Sequence, residues 1–331
     1  MYYVLDKLLN NEHLTFQESY DFIFSIEEEL YPPEVISGIL MIIQLRGVQL
    51  KEMHGFRSAL LNLALPVELE SENAIDLCGT GGDGKNSFNI STTTALVLAA
   101  MGKKVIKHGN YGVSSLCGSS NVLEELGFVF TEDSGELQRQ LDDRNICFLH
   151  APLFHPTMKK IAPIRRNLGV RTIFNSLGPL VNPSQPKYQL TGTYSLELAR
   201  VYQHLLRENR TNYRVVYGTE GFDELTLTDD TRVFGGMSEQ TLNAATFGLP
   251  KLAQSSIDGG RTVRDAAKIV SRILEGRGTE EHNFVIAANT ALALQLYHPN
   301  EPIIELFKET LKFIEEGKAN RSSFFSKTMY L

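Results

Sequence analysis

From Ala74 onward, short apolar runs that stop at glycine or a polar turn alternate with helix-patterned segments, and this rhythm leaves few folds open. AIDLC precedes Gly79, KKVIK precedes His108, ICFLH precedes Ala151, RVVYG precedes Thr219 and FVIAA precedes Asn289. Read as strands joined by helices, these runs predict an α/β domain around a mainly parallel sheet, since parallel neighbours need long return connections. Ligands of such sheets collect at the carboxyl ends of the strands. The polar motifs of this chain follow the runs, on that side.

The segment before Leu65 has a different pattern. Leu5, Leu8 and Leu9 are spaced as on a helix, and Thr15-Phe16-Gln17-Glu18 has the form of a capping box. Pro32-Pro33-Glu34 opens the nearly continuous apolar run VISGILMIIQLRG, which needs burial on most sides, within a helical bundle or against a second subunit. The acidic, proline-containing residues 65–73 read as a linker. At 331 residues the chain exceeds what one core usually fills. The expectation is therefore an α/β protein with a small all-helical domain over residues 1–68 and a larger α/β domain over residues 73–331.

Composition narrows the function. A formal charge of -7 argues against non-specific nucleic-acid binding. Cys78, Cys117 and Cys147 are far apart, without paired spacing or a nearby histidine cluster. They read as buried free thiols in a reducing compartment, not as a disulfide framework or zinc site. The opening MYYVLDKLLNNEH carries acids and lacks the basic start and apolar run of a signal peptide. No apolar stretch approaches the roughly 18 residues of a membrane span. A cytoplasmic protein with no membrane attachment is expected.

Gly79-Thr80-Gly81-Gly82-Asp83-Gly84-Lys85-Asn86-Ser87 directly follows the first apolar run. Gly79, Gly81 and Gly84 match the dinucleotide pattern GxGxxG, yet no acid lies between Asp83 and Glu124 to take a ribose hydroxyl. Gly79 to Lys85 also begins a Walker A loop, but Asn86 stands where a magnesium-binding Ser or Thr is required. The physics common to both patterns survives: glycines let N–H groups close on an oxyanion, and a following helix start adds partial positive charge. Asn89-Ile90-Ser91-Thr92 supplies an amide and two hydroxyls where the helical segment TTTALVLAAMG begins; capping that helix is their bland alternative.

Lys107-His108-Gly109-Asn110 follows the next run, and Val113-Ser114-Ser115 with Gly118-Ser119-Ser120 forms a hydroxyl-rich loop. Lys85, Lys103, Lys104 and Lys107 meet no acid between Gly84 and Leu123, which in an acidic chain points to a polyanion pocket. Lys107 is assigned to that pocket, whereas Lys103 and Lys104 read as solvated charges. Farther on, after a turn through Gly221, the adjacent acids Asp223 and Glu224 offer hard oxygen donors to a divalent cation. Taken alone, such a pair is more often a solvated surface feature.

In order and spacing, GTGGD at 79–83, NIST at 89–92 and KHGN at 107–110 resemble the anthranilate phosphoribosyltransferases. HAPLFHPTMKKIAPIRRNLGVRTIFNSLGPLVNP and the Asp223-Glu224 pair extend the resemblance over most of the chain. It implies transfer of a phosphoribosyl group from phosphoribosyl pyrophosphate to anthranilate in tryptophan synthesis, by a homodimer whose helical domain is completed by roughly residues 162–182. Phosphoribosyl pyrophosphate would be bound by Gly79, Gly82, Asp83, Ser87, Asn89, Ile90, Ser91 and Thr92. Lys107, His108, Gly109, Asn110, Tyr111, Gly112, Val113, Ser114, Ser115 and Ser119 would complete that site. Ser91, Asp223 and Glu224 would hold two Mg2+ ions. Anthranilate would meet Gly79, Asn110 and Arg165, with His108 and His155 beside its path; Arg166 and Arg171 read as solvated. The resemblance leaves open an association with anthranilate synthase.

One position departs from the pattern: Tyr111 stands where many members have arginine, and a phenol lacks the charged fork that grips phosphate. The chemistry expected is a dissociative displacement at C1 of the ribose, dependent mainly on positioning and electrostatics. The rivals are a pyrimidine nucleoside phosphorylase of the same architecture, a nucleic-acid-binding relative, and the same fold acting on another aromatic amine.

Overall fold

The computed structural model describes residues 3–112, 117–208, 212–236, 238–319 and 324–325. Four helices come first: α1 (Tyr3–Leu9), α2 (Phe16–Glu27), α3 (Pro33–Arg46) and α4 (Leu50–Leu63). The capping box at Thr15 is formed, its hydroxyl accepting the Glu18 N–H while the Glu18 carboxylate accepts the Thr15 N–H. α3 buries Ile36, Ile39, Leu40 and Ile43 and leaves Leu45 exposed, so the near-continuous apolar run presents one face inward.

The chain then runs through β1 (Ala74–Gly79), α5 (Ile90–Ala100), β2 (Lys104–Gly109), α6 (Ser119–Glu125), α7 (Ser134–Arg144) and β3 (Ile146–His150). Three helices follow: α8 (Ala151–Phe154), α9 (Pro156–Leu168) and α10 (Ile173–Leu177). Next come β4 (Tyr188–Gly192), α11 (Leu196–Glu208), β5 (Asn212–Gly218), β6 (Thr231–Gly235) and β7 (Ser238–Leu242), and finally α12 (Val263–Leu274), α13 (Glu280–Leu294) and α14 (Ile303–Glu315).

The seven strands form one sheet in the order β3-β2-β1-β4-β5-β6-β7. The first five run parallel, and β6 and β7 close the edge as antiparallel neighbours. Strand order grows away from β1 in one direction through β2 and β3, then resumes on its other side at β4. That reversal separates the connections leaving β1 and β4 and opens a crevice beyond their carboxyl ends, the place where open α/β sheets hold ligands.

Two large cores flank the sheet. On one face the four N-terminal helices meet α9, α10 and α11 around Phe22, Phe56, Phe174 and Tyr202, reaching the sheet at Val215 and Phe234. On the other, α5, α12, α13 and α14 pack on Ile75, Leu77 and Val216. The helices after β3 thus return to the N-terminal lobe, α9 packing on α2, α3 and α4.

One expected strand is a helix. FVIAA lies within α13, which is buried continuously from Val285 to Leu294. A run buried on all sides carries no period to distinguish strand from helix. Helix is decided locally instead, by Thr279 accepting the His282 N–H and by Glu280 and Glu281 in the first turn. Strands β4, β6 and β7 lie outside the apolar runs read as strands; β7, Ser238–Leu242, is exposed at four of its five positions.

Candidate active site

The crevice beyond β1 and β4 is a cleft of about 220 Å3 between the two lobes. Its floor is the glycine loop. Gly81, Gly82 and Gly84 have φ of 60°, 65° and 75°, left-handed values that favour glycine and turn the chain tightly after β1. The loop is pinned from outside: Asn86 Nδ2 donates to Asp258 Oδ1 at 3.1 Å and to the Gly260 carbonyl at 2.9 Å, and the Gly259 N–H donates to the Asn86 carbonyl at 2.7 Å. No motif in the sequence signals that support from residues 258–260.

Asp223 and Glu224 face this loop directly. Asp223 Oδ2 accepts the Gly81 N–H at 2.7 Å, and Glu224 Oε1 accepts the Ser91 N–H at 2.9 Å in the first turn of α5. Ser87 Oγ lies 3.4 Å from Glu224 Oε2. Gly79 and Gly192, paired at the ends of β1 and β4, leave the room: a Cβ on Gly79 would strike the Asp223 carboxylate, and one on Gly192 would overlap the Asp223 carbonyl oxygen.

Burial holds the protons of Asp223 and Glu224 above their ordinary range, and at Glu224 the Asp223 charge adds to it. Burial, then the charge of Asp223, raises Asp83 to about 6. Three crowded carboxyls of this kind favour a divalent cation. Among the described residues no set of three or more His, Cys, Asp and Glu side chains is arranged to hold a metal by itself. A cation here would therefore take further ligands from substrate oxygens and water, as magnesium does.

Gly79, Gly82, Asp83, Ser87, Asn89, Ser91, Thr92, Lys107, His108, Gly109, Asn110, Tyr111, Gly112, Ser119, Arg165, Asp223 and Glu224 all line the cleft. Ile90 does not; it is fully buried in the core behind α5. His155 also stands back from the cleft, its ring edge-on to His108 with centroids 5.2 Å apart. Val113, Ser114 and Ser115 lie outside the described residues. The chain on either side of them is drawn together by Asn121, whose Oδ1 accepts both the Gly112 and Gly118 N–H groups at 3.0 Å.

Several details add to or correct the reading from sequence. Lys107 is buried, and its ammonium donates to the Leu77 carbonyl. Tyr111 gives its hydroxyl to Glu124 at 2.6 Å and sets its ring edge-on to His150. Cys147 is buried, but Cys78 and Cys117 are only partly so and line the cleft. Arg171 is half-buried: it stacks on Tyr194 at 4.6 Å and stands beside Gly84 of the glycine loop. Met158, Phe174 and Pro179, apolar residues of the helical segments, also line the cleft.

The cleft is also lined by Arg165, 8% exposed, with its Nε unpartnered and its guanidinium 6.0 Å from the Phe174 ring. Burial lowers its pKa to about 10. An unpaired guanidinium beside an aromatic face is arranged for a planar anion. His108 lines the same cleft. Its Nδ1 meets the Gly178 carbonyl at 3.1 Å and its Nε2 has no partner. Burial, reinforced by His155, lowers its pKa to about 3, so it is a neutral ring.

The description "Glycosyl transferase family, a/b domain" fits residues 71–320, and "Glycosyl transferase family, helical bundle domain" fits residues 2–64. The chain is 46% identical to the anthranilate phosphoribosyltransferase of Christiangramia forsetii over 96% of its own length and 95% of the relative's. It belongs to the anthranilate phosphoribosyltransferase family. The Bacteroides fragilis member is 40% identical, with 96% of each chain covered. The crystal structure of the Thermus thermophilus enzyme superposes with a TM-score of 0.88 at 29% identity, covering 97% of this chain and 98% of that one. The Saccharomyces cerevisiae enzyme in complex with PRPP and Mg superposes at 0.87 with 27% identity, covering 97% and 95%. Among the described residues no helix is long and apolar enough to cross a membrane.

Proposed function

We propose that this chain transfers the phosphoribosyl group of 5-phosphoribosyl 1-pyrophosphate to the amine of anthranilate, giving N-(5-phosphoribosyl)anthranilate and pyrophosphate in tryptophan biosynthesis. One observation carries the reading: a single cleft is lined both by a glycine loop backed by two buried acids and by a buried arginine whose Nε has no partner. The loop and acids suit a pyrophosphate with its cations, the arginine a small aromatic carboxylate.

Ser91, Asp223 and Glu224 would hold two Mg2+ ions, which when bound offset the charge that grows on the departing pyrophosphate. The rest falls to the chain itself. Glycine-loop N–H groups and the α5 start, with Ser87, Asn89 and Thr92, orient the phosphates without themselves reorganising. Arg165 takes the anthranilate carboxylate in a fork geometry. Asn110 and Gly79 line the same cleft and, as the resemblance implies, meet anthranilate beside C1 of the ribose. An aromatic amine is little protonated at neutral pH, so it needs no strong base. Neutral His108 offers a lone pair and leaves Arg165 as the cation for the acceptor.

The same reading takes residues 1–68, with roughly 162–182, as the helical domain and 73–331 as the α/β domain. It also includes a homodimer through the helical lobe, where Leu9 and Leu45 are exposed, and cytoplasmic residence. Loss of anthranilate fluorescence on mixing protein, magnesium, phosphoribosyl pyrophosphate and anthranilate tests the reaction. Phosphorolysis of thymidine without that loss would instead identify a nucleoside phosphorylase.

A further inference from the structure

Between α10 and β4 the chain crosses from the helical lobe to the sheet through Gly178-Pro179-Leu180-Val181-Asn182. Four successive carbonyls of this strap each accept a side chain from a different element. His108 on β2 donates to Gly178 at 3.1 Å, Gln189 on β4 to Pro179, Arg57 on α4 to Leu180 at 3.0 Å, and His155 ahead of α9 to Val181 at 2.8 Å. Asn182 completes the series, its Nδ2 donating to Asp76 Oδ2 at 3.0 Å, while Asp76 Oδ1 accepts the His108 N–H at 3.1 Å. All six side chains are buried, Arg57 being 8% and Asp76 1% exposed.

Burying a guanidinium and a carboxylate to satisfy one short segment is expensive, because each loses its hydration. The setting explains what this arrangement secures. Gly178 and Pro179 line the cleft beside Arg165 and Phe174. Behind Pro179 is a second, polar cavity of about 150 Å3, lined also by Arg57, Asp76, Asn182 and Gln189. At Pro179 the strap is thus a wall between two cavities; Leu180 and Val181 anchor it in the helical core, and directional bonds to each successive carbonyl fix its position toward the cleft.

We propose that this strap is the positioning wall for the aromatic amine acceptor. Arg57, Asp76 and Gln189, none of which lines the cleft, are positioning residues that act through the strap and through His108. The inference rests on the function proposed above and adds three residues to it.

The test measures KM for anthranilate and for phosphoribosyl pyrophosphate separately, with thermal midpoints, in Arg57→Met, Arg57→Lys and Gln189→Leu. Arg57→Met keeps the aliphatic stem and removes the donor. Gln189→Leu is close in size, leaves the Pro179 carbonyl without its donor, and carries the test if Arg57→Met does not fold. KM for anthranilate should rise about tenfold in Arg57→Met and Gln189→Leu, with that for phosphoribosyl pyrophosphate unchanged. Arg57→Lys, which retains a donor, should recover part of the loss. Unchanged anthranilate KM, or equal rises for both substrates that track a lowered thermal midpoint, would overturn the proposal. A wild-type protein with no turnover of anthranilate would overturn the functional reading as well; active wild type with insensitive variants overturns the role of the strap alone.

Discussion

The carbonyl oxygen of Asp223 rests on the Cα of Gly192, in the space where any other residue would carry its Cβ. The contact is backbone on backbone, so no rotamer change can relieve it. It ties the loop bearing both acids to the end of β4, whose carbonyl at Gly192 in turn accepts the Thr80 N–H of the glycine loop at 3.0 Å. Gly192→Ala should displace Asp223 and lower kcat/KM by about a hundredfold or more, as expected for a misplaced catalytic group. Its thermal midpoint should also fall, since overpacking destabilises. Activity close to wild type would show that the acid loop tolerates the shift.

Asp223→Asn preserves volume and removes one charge. The hydrogen bond to Gly81 can persist through the amide oxygen, so the loop should keep its place while the cation loses a carboxylate. Half-saturating magnesium is expected to rise by about tenfold or more, a ligand counting for at least as much as an outer-shell partner. Turnover against magnesium concentration checks this, and an unchanged curve at limiting metal removes Asp223 from the metal site.

Arg165 is a buried cation without a countercharge, so it destabilises the free protein while it waits for one. Arg165→Ala should raise the anthranilate KM by about tenfold to a hundredfold, leave that of phosphoribosyl pyrophosphate unchanged, and keep or raise the thermal midpoint. The combination is diagnostic. A residue needed only for packing would lower the midpoint and affect both substrates together.

Burial lowers His108 to about 3 and His155 to about 4, against an ordinary value near 6.5. Below pH about 6.5 the unfolded chain therefore takes up protons at these two rings that the folded chain refuses, so their contribution lowers stability as pH drops toward about 4, while the raised carboxyls of Asp83, Asp223 and Glu224 act in the opposite sense. The slope is at most about 1.4 kcal/mol per pH unit for each ring. Above that window the rings contribute none. Urea unfolding of wild type and of His155→Gln, which keeps a donor for Val181 but does not titrate, isolates one ring: the variant should gain stability relative to wild type as pH falls from neutral to about 5. A difference between variant and wild type that stays constant or shrinks as pH falls would mean that the ring is charged in the folded state.

Sequence by itself determined the parts whose causes are local. Gly81, Gly82 and Gly84 announce a turn few other residues can make; Thr15 and Glu18 announce a helix start; and the alternation of apolar runs with helices announces a mainly parallel sheet. The glycine loop was legible because chemistry confines its residue types, whereas the acid pair and Arg165 were legible only through the family resemblance. What only the tertiary structure decided are relations between distant residues. Whether FVIAA is strand or helix, whether Asp223 and Glu224 meet the glycine loop or solvent, and that Arg57, Gln189 and Asp76 grip residues 178–182 all depend on contacts across the chain. A periodic pattern reports which face of an element is buried, and a motif reports what a loop can bind. Neither reports what packs against it, because burial energy depends on the area removed from water and not on which neighbour removes it.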